Sequence, residues 1–298
     1  MENTSPKVIN ELFLEKLASP DGIAAFEQQA SNFVRKKLRE VSFARKILPP
    51  QYVTKADLHP SVNHDGVVKI VDIEPDSKAM ALNFRGDANY TYIEGDRYEI
   101  PFFTISSDNF QKTEEELLAY NMPITEVIEK NTVLDIHKQE DETFIAAVKA
   151  GLVTAKDITG SYDTDGTVKR SDFKALWDTL DGDKLLASVV LMNNKMYNRL
   201  MLYPATNVGN DLATETVING FTYGKVFGKN LVVTNKTDVV GDNEIYAFTS
   251  PEFFGEFDIL NDVKFWLKKE KNLITFANYE SLGIGIGNVK AMARLTLS

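Results

Sequence analysis

The middle of the chain constrains the fold more than any other part. Strand-like, aromatic-rich sequence runs from Val67 to Ser107, and one long helix is predicted from about Pro123 to Ala150. The helix reading rests on Ile124, Val127, Ile128, Leu134, Phe144, Ile145 and Val148, which recur near one face. Asn131, Lys138 and Asp141 fall on that face too, so its middle is not a dry seam. Gly151 is the expected terminator. Roughly 28 residues at about 1.5 Å each span about 40 Å, whereas an average helix has about 12 residues. An element of that length is expected to pack at both ends.

The strands ahead of it pose the opposite problem. VVKIVDI (Val67 to Ile73) is β-branched and reads as a strand. NYTYIEGDRYEIPFFTIS resumes strand character, with Tyr98, Ile100, Phe102 and Ser106 at even spacings and a turn at Glu94-Gly95-Asp96. Two or three strands need a covered face. A strand pair of this length is poorly buried in a lone monomer. Tyr90, Tyr92, Tyr98 and Phe102 are therefore the candidate intersubunit contacts, since aromatic side chains anchor interfaces.

Composition narrows the functional classes. The chain has 298 residues, 43% hydrophobic and 26% charged, long enough for two domains with a sizeable core. A formal net charge of -10 argues against non-specific nucleic-acid binding as the main task. With no cysteine, disulfides, thiolate nucleophiles and Cys-ligated metals are excluded. No run of eighteen apolar residues suggests a membrane span. The polar start MENTSPKVINELFLEK lacks signal-peptide character, so synthesis in the cytoplasm is expected.

Elsewhere an apolar patch occupies Leu12 to Leu17, and a helix fits Pro20 to about Val41. Arg35, Lys36, Lys37, Arg39, Arg45 and Lys46 form a basic stretch that begins in its last turns. That stretch reads as a solvated helix end, or as a contact for an acidic partner or a genome. A short helix fits SDFKALWDTL, with Ser171 as cap and Phe173, Leu176, Trp177 and Leu180 inward. LLASVVLMN (Leu185 to Asn193) is a continuous apolar strand expected to be covered on both faces. The helix NNKMYNRLMLY follows, then the strands GFTYGK, KNLVVTN and EIYAFTS, and further strands from Val263 onward. The pattern describes an α+β fold.

No motif carries clear chemistry. His59 and His64 share a loop with Asp57 and Asp65 but lack a recognised metal-ligand spacing. His137 reads as helix surface or interface. SYDTDGTVKRSD resembles a calcium loop, but Ser161 and Lys169 stand at ligand positions one and nine, so a solvated hairpin or linker is favoured. GIGIGNVK alternates Gly with Ile at strand period and matches no phosphate loop. No paired general acid and base is discernible, and no catalytic residue, metal or cofactor is expected.

The element order and the C-terminal third resemble the major capsid proteins of tailed bacteriophages, the group with the HK97-type fold. LASVVLMNNKMYNRL, GFTYGKVFGKNLVVTNKT and DNEIYAFTSPEFFGEFD, the last with its turn near Gly255, are similar to passages of that family. The resemblance implies an N-terminal arm with helix over 1–60 and a protruding two-stranded loop, the E-loop, over 61–107. It implies a peripheral domain with a spine helix over 108–180, and an axial domain over 181–298 whose strands return to the peripheral domain. It also implies pentamers and hexamers in an icosahedral shell enclosing double-stranded DNA with weak non-specific contact. A separate scaffolding protein, a portal and decoration proteins would be the partners, with location in the virion. Some relatives are joined by a Lys–Asn bond; Lys69 and Lys78 lie in the loop, and neither is assigned that role. The alternatives are an encapsulin-like compartment, or an α+β enzyme with a metal at His59, His64, Asp57 and Asp65.

Overall fold

The structure is a computed structural model, and it describes residues 42–61, 65–73, 79, 81–82, 95–119, 124–164, 166–200 and 224–298. The helix expected from Pro20 to Val41 and most of the GFTYGK strand lie outside those residues. In chain order the described elements are α1 (Ala44–Ile47), β1 (Pro50–Tyr52), β2 (His59–Pro60), β3 (Val67–Asp72), β4 (Arg97–Ser106), β5 (Phe110–Thr113) and α2 (Glu114–Ala119). Next come α3 (Ile124–Gly151), β6 (Asp157–Gly160), α4 (Arg170–Asp181), β7 (Val189–Asn193), α5 (Asn194–Leu200), β8 (Lys225–Val226) and β9 (Lys229–Thr234). The chain closes with β10 (Glu244–Phe248), α6 (Pro251–Phe254), β11 (Gly255–Glu270), β12 (Leu273–Ile286) and β13 (Met292–Leu297).

Two sheets organise this α+β chain. A seven-stranded sheet runs β1-β11-β12-β4-β3-β2, with β5 also paired to β12. A six-stranded sheet runs β6-β13-β10-β7-β9-β8. The continuous apolar run expected to be covered on both faces is β7, and every residue of it is buried. Val189 and Leu191 enter one core, while Val190 and Met192 enter the other. β10 does the same with Tyr246 and Phe248 against Ile245 and Ala247. Helices α4 and α5 cover the second core through Phe173, Leu176, Leu180, Met196 and Tyr197.

The strand is shorter than the apolar run. Leu185 to Ser188 lie outside β7, and Leu186 is 71% exposed. Helix α4 starts at Arg170, and no side chain caps it. Ser171, expected as cap, lies inside the helix and donates to Asp172 Oδ1 (3.2 Å). The other oxygen of Asp172 accepts the Ser161 N–H (3.1 Å), which holds the preceding loop. Trp177 is only partly buried. The stretch that resembled a calcium loop is a tight hairpin with Tyr162 bridged to Val168. Lys169 donates to Ser161 across it (2.8 Å), so the first and ninth ligand positions hold each other.

Helix α3 spans 28 residues, close to the predicted ends. Its buried face is only partly the one expected. Leu134 is 52% exposed, while Thr132, Ile136, His137, Glu140 and Asp141 are buried with Phe144, Ile145 and Val148. His137, expected at a surface or interface, is thus interior. The C-terminal turns set the phase. Stepping back by three and four from Val148 and Phe144 reaches Glu140 and Asp141, then Ile136 and His137. Phe144 is the hub, with ring centroids of Phe43, Phe248 and Phe254 at 6.4, 5.8 and 6.2 Å.

The glycines of GIGIG sit in β12, where β4 crosses closely. A Cβ on Gly285 would lie 2.5 Å from Ile100, and one on Gly287 would lie 2.9 Å from the Tyr98 ring. A Cβ on Gly255, at the start of β11, would lie 2.2 Å from the Gly285 carbonyl oxygen. That neighbour is backbone and cannot rotate away. Gly255→Ala is expected to lower the unfolding free energy by about 1–3 kcal/mol, the range for overpacking. Gly95→Ala has open space around it and should stay within about 0.5 kcal/mol of the parent. Equal denaturant midpoints for the two variants would contradict this close crossing.

Candidate functional site

The antiparallel pair β3–β4 carries the residues singled out for contact with other chains. Val68 pairs with Pro101 and Asp72 with Arg97. Burial fades outward along β3. Val68 is buried, whereas Val67, Ile70 and Ile73 are exposed. Along a strand Val68 and Ile70 share one face and Val67 lies on the other, so the exposed apolar side chains are not confined to one face. Tyr90 and Tyr92 lie outside the described residues, as does Lys78. Tyr98 and Phe102 are half-buried, and their rings cover Gly287 and Gly283 of their own chain. Their contact faces are therefore partly spent within the subunit, a correction to the expectation of free arm aromatics. The remaining face of Tyr98 lines a groove of about 900 Å³ with Pro50, Ile73 and Phe253.

Lys69 fastens the base of this pair. Its Nζ lies 2.5 Å from Glu256 and 3.1 Å from Asp258, both on β11. Burial opposes the Lys69 charge, but the two carboxylates outweigh it and raise its pKa. Burial dominates at Asp258 and raises its pKa despite the ammonium.

The basic stretch divides in two. Arg35, Lys36, Lys37 and Arg39 lie outside the described residues. Lys46 is exposed, but Arg45 is buried and is not available to a genome or an acidic partner. Its guanidinium forks onto Glu140, with Nε to Oε2 at 3.0 Å and an Nη to Oε1 at 2.9 Å. The same Nη donates to Glu280 Oε1 on β12 (2.5 Å). Beside it, Asp141 accepts from the Ser42 hydroxyl (3.0 Å), the Ala44 N–H (3.0 Å) and Lys236 Nζ (2.5 Å). The sequence marked Asp141 as a polar intrusion on the helix face. It did not reveal Glu140, Glu280 or Lys236 as partners, because their meeting depends on β12 and the β9–β10 loop closing over α3.

The electrostatics follow from burial. Desolvation pushes the Glu280 carboxyl up to about 9, the charge of Glu140 adds to this, and Arg45 opposes it. Burial also raises the Asp141 pKa, against the pull of Lys236. The arrangement fixes position and offers no reacting geometry. In the loop once weighed as a metal site, Asp57 is committed to the Thr54 N–H and hydroxyl (2.8 and 2.7 Å). His59 is exposed and His64 lies outside the described residues. Among the described residues no three His, Asp or Glu side chains group to hold a metal, and no helix is long and apolar enough to cross a membrane.

No family model matches the sequence, and no curated protein matches it. Solved structures do match in fold. A structure from Microbacterium phage Oxtober96 has a TM-score of 0.63 at 14% identity, covering 86% of this chain and 91% of that one. The capsid of Cyanophage P-SCSP1u has a TM-score of 0.60 at 13% identity, covering 87% and 88%. A virus-like particle from Pyrococcus furiosus has a TM-score of 0.56 at 15% identity, covering 91% and 99%. The chain has the HK97-type fold of bacteriophage major capsid proteins, as the resemblance implied.

Removing Arg45 leaves two buried carboxylates with no guanidinium. Arg45→Met is expected to destabilise by about 3–5 kcal/mol, the usual result of breaking a buried pair from one side. Glu280→Gln should respond to pH. The folded pKa of Glu280 lies above its unfolded value, so the folded state holds the proton more tightly. Its contribution is complete in acid and is lost as pH rises towards 9. Glu280→Gln should therefore gain stability relative to the parent between pH 6 and pH 9, read from denaturant melts. A pH-independent difference would show that Glu280 keeps an ordinary pKa.

Proposed function

We propose that the chain is the major capsid protein of a tailed bacteriophage and has a structural rather than catalytic role. In this reading pentamers and hexamers tile an icosahedral shell around double-stranded DNA in the virion. The observation that carries it is the likeness to capsid structures along nearly the whole chain, joined to the exposed apolar edge of β3–β4. That edge, with Val67, Ile70 and Ile73 in water, suits a partner surface. β3–β4 would be the base of the E-loop, α3 the spine helix of the peripheral domain, and the six-stranded sheet the axial domain. Scaffolding, portal and decoration proteins would be the partners during assembly. The buried charged groups Arg45, Glu140, Glu280 and Asp141 support a structural role, because each is spent on holding the arm root.

A second reading, a protein compartment without a genome, draws on the match that covers 99% of the virus-like particle chain. The nucleic acid content of purified particles separates the two readings.

Deletion of residues 74–96 tests the main reading. It is expected to leave a folded core that forms no closed shells, as judged by circular dichroism, sedimentation and negative-stain imaging. Normal particles from the deletion would remove the loop from assembly. A full-length chain that stays monomeric with its genomic neighbours present would count against the shell itself.

A further inference from the structure

One groove of the axial sheet is built to hold something absent from the subunit. It measures about 490 Å³ and is lined by Lys184, Leu186, Ser188, Lys229, Asn230 and Phe253. Both walls are set by tight turns. Lys184 is left-handed (φ 62°) after α4, and Phe227 and Gly228 have φ of 49° and 79° between β8 and β9. Two successive positive φ values are the signature of a rigid two-residue hairpin, so the groove is preformed.

Three features of the groove are unsatisfied. Leu186 is 71% exposed and Phe253 55%, and burying side chains of this size is worth about 1.5–3 kcal/mol each. No carboxylate lines the groove, and among the described residues neither Lys184 nor Lys229 makes an ion pair. The main chain is also open here. The ladder resumes at Ser188, whose N–H donates to the Phe248 carbonyl (2.8 Å). Among the described residues the Leu186 N–H and C=O have no partner. An extended peptide that is both acidic and apolar would meet all three needs, with its backbone pairing at Leu186.

The apolar patch near the N-terminus has that chemistry. In NELFLEK, Glu11 and Glu15 bracket Leu12, Phe13 and Leu14. In an extended chain Glu11, Phe13 and Glu15 share one side, with the carboxylates about 13 Å apart. That order, anion, ring, anion, complements a groove that sets two ammonium groups beside Leu186 and Phe253. These residues lie outside the described ones. The 26 residues from Lys16 to Val41 reach at most about 85 Å when extended, far beyond the diameter of about 30 Å of a small domain.

We infer that residues 10–16 of one copy dock in the Lys184–Leu186–Lys229–Phe253 groove of a second copy. The inference rests on the shell reading and names one of its subunit contacts. The test uses the full chain with Leu186→p-benzoylphenylalanine, assembled from equal parts of light and heavy isotope copies and then irradiated. The expected product joins position 186 to the peptide holding residues 10–16, with light and heavy copies mixed. Lys184→Glu with Lys229→Glu should cut the assembled fraction about tenfold, since like charges then face each other. Adding Glu11→Lys and Glu15→Lys should bring it back to within about twofold of the parent. Cross-links within one copy, cross-links to another segment, or a charge swap without rescue would each overturn the inference. A chain that stays monomeric sinks the shell reading as well. One that assembles with position 186 joined elsewhere sinks this contact alone.

Discussion

One guanidinium ties the first described residues to the long helix and the central strand. Arg45 sits between Glu140 of α3 and Glu280 of β12, beside a core of aliphatic and aromatic side chains. Such a buried cluster adds less net stability than apolar residues of the same volume would, because each charge must leave water. What it adds is register. A phenylalanine accepts many neighbours, whereas Arg45 is satisfied in one place only. Asp141, the next residue of α3, repeats the constraint by holding Ser42, Ala44 and Lys236 together. The segment around Arg45, the long helix and the central strand therefore share one arrangement, and loss of any member leaves the others buried without their partner.

The strand pair β3–β4 depends on a second constraint, the absence of side chains along β12. Gly283, Gly285 and Gly287 give up packing of their own so that Phe102, Ile100 and Tyr98 can lie across the strand. Lys69 adds an ion pair to Glu256 and Asp258 of β11. The base of the pair is thus clamped, while its outer part keeps Ile70 and Ile73 in water. On the proposed reading, a rigid base with an uncovered end suits a projection that contacts a neighbouring subunit.

Much of this was legible from local pattern. The length of α3, the strand VVLMN buried on both faces, and the close packing of GIGIG each follow from residues near in sequence. The misreadings share a cause. Apolar periodicity along the whole helix puts Leu134 in the core, but the C-terminal turns set the face of α3 and bring in Glu140 and Asp141, whose partners lie 95 to 99 residues away. Arg45 looked like one more cation in a basic run, and nothing local separates it from Lys46. Ser171 had the right chemistry for a cap, but Asp172 was already bound to the hairpin before it. Hydrophobic period reports what water excludes, and it is silent on which polar groups will be paired when they arrive.

Among the described residues the exposed apolar side chains include two small groups. Ile70 and Ile73 lie on the strand pair, and Leu186 lies by the six-stranded sheet, with Phe253 bordering the grooves beside both. Each site offers only a few kcal/mol, less than the cost of fixing two free molecules together. A single contact would not hold a dimer. Several such contacts to several neighbours act together, because the first raises the effective concentration of the rest. In a closed shell every subunit would make all of them, and a misplaced subunit would make one or two and dissociate. On the proposed reading, weak and separated sites on a rigidly registered core allow errors to be undone before the shell closes.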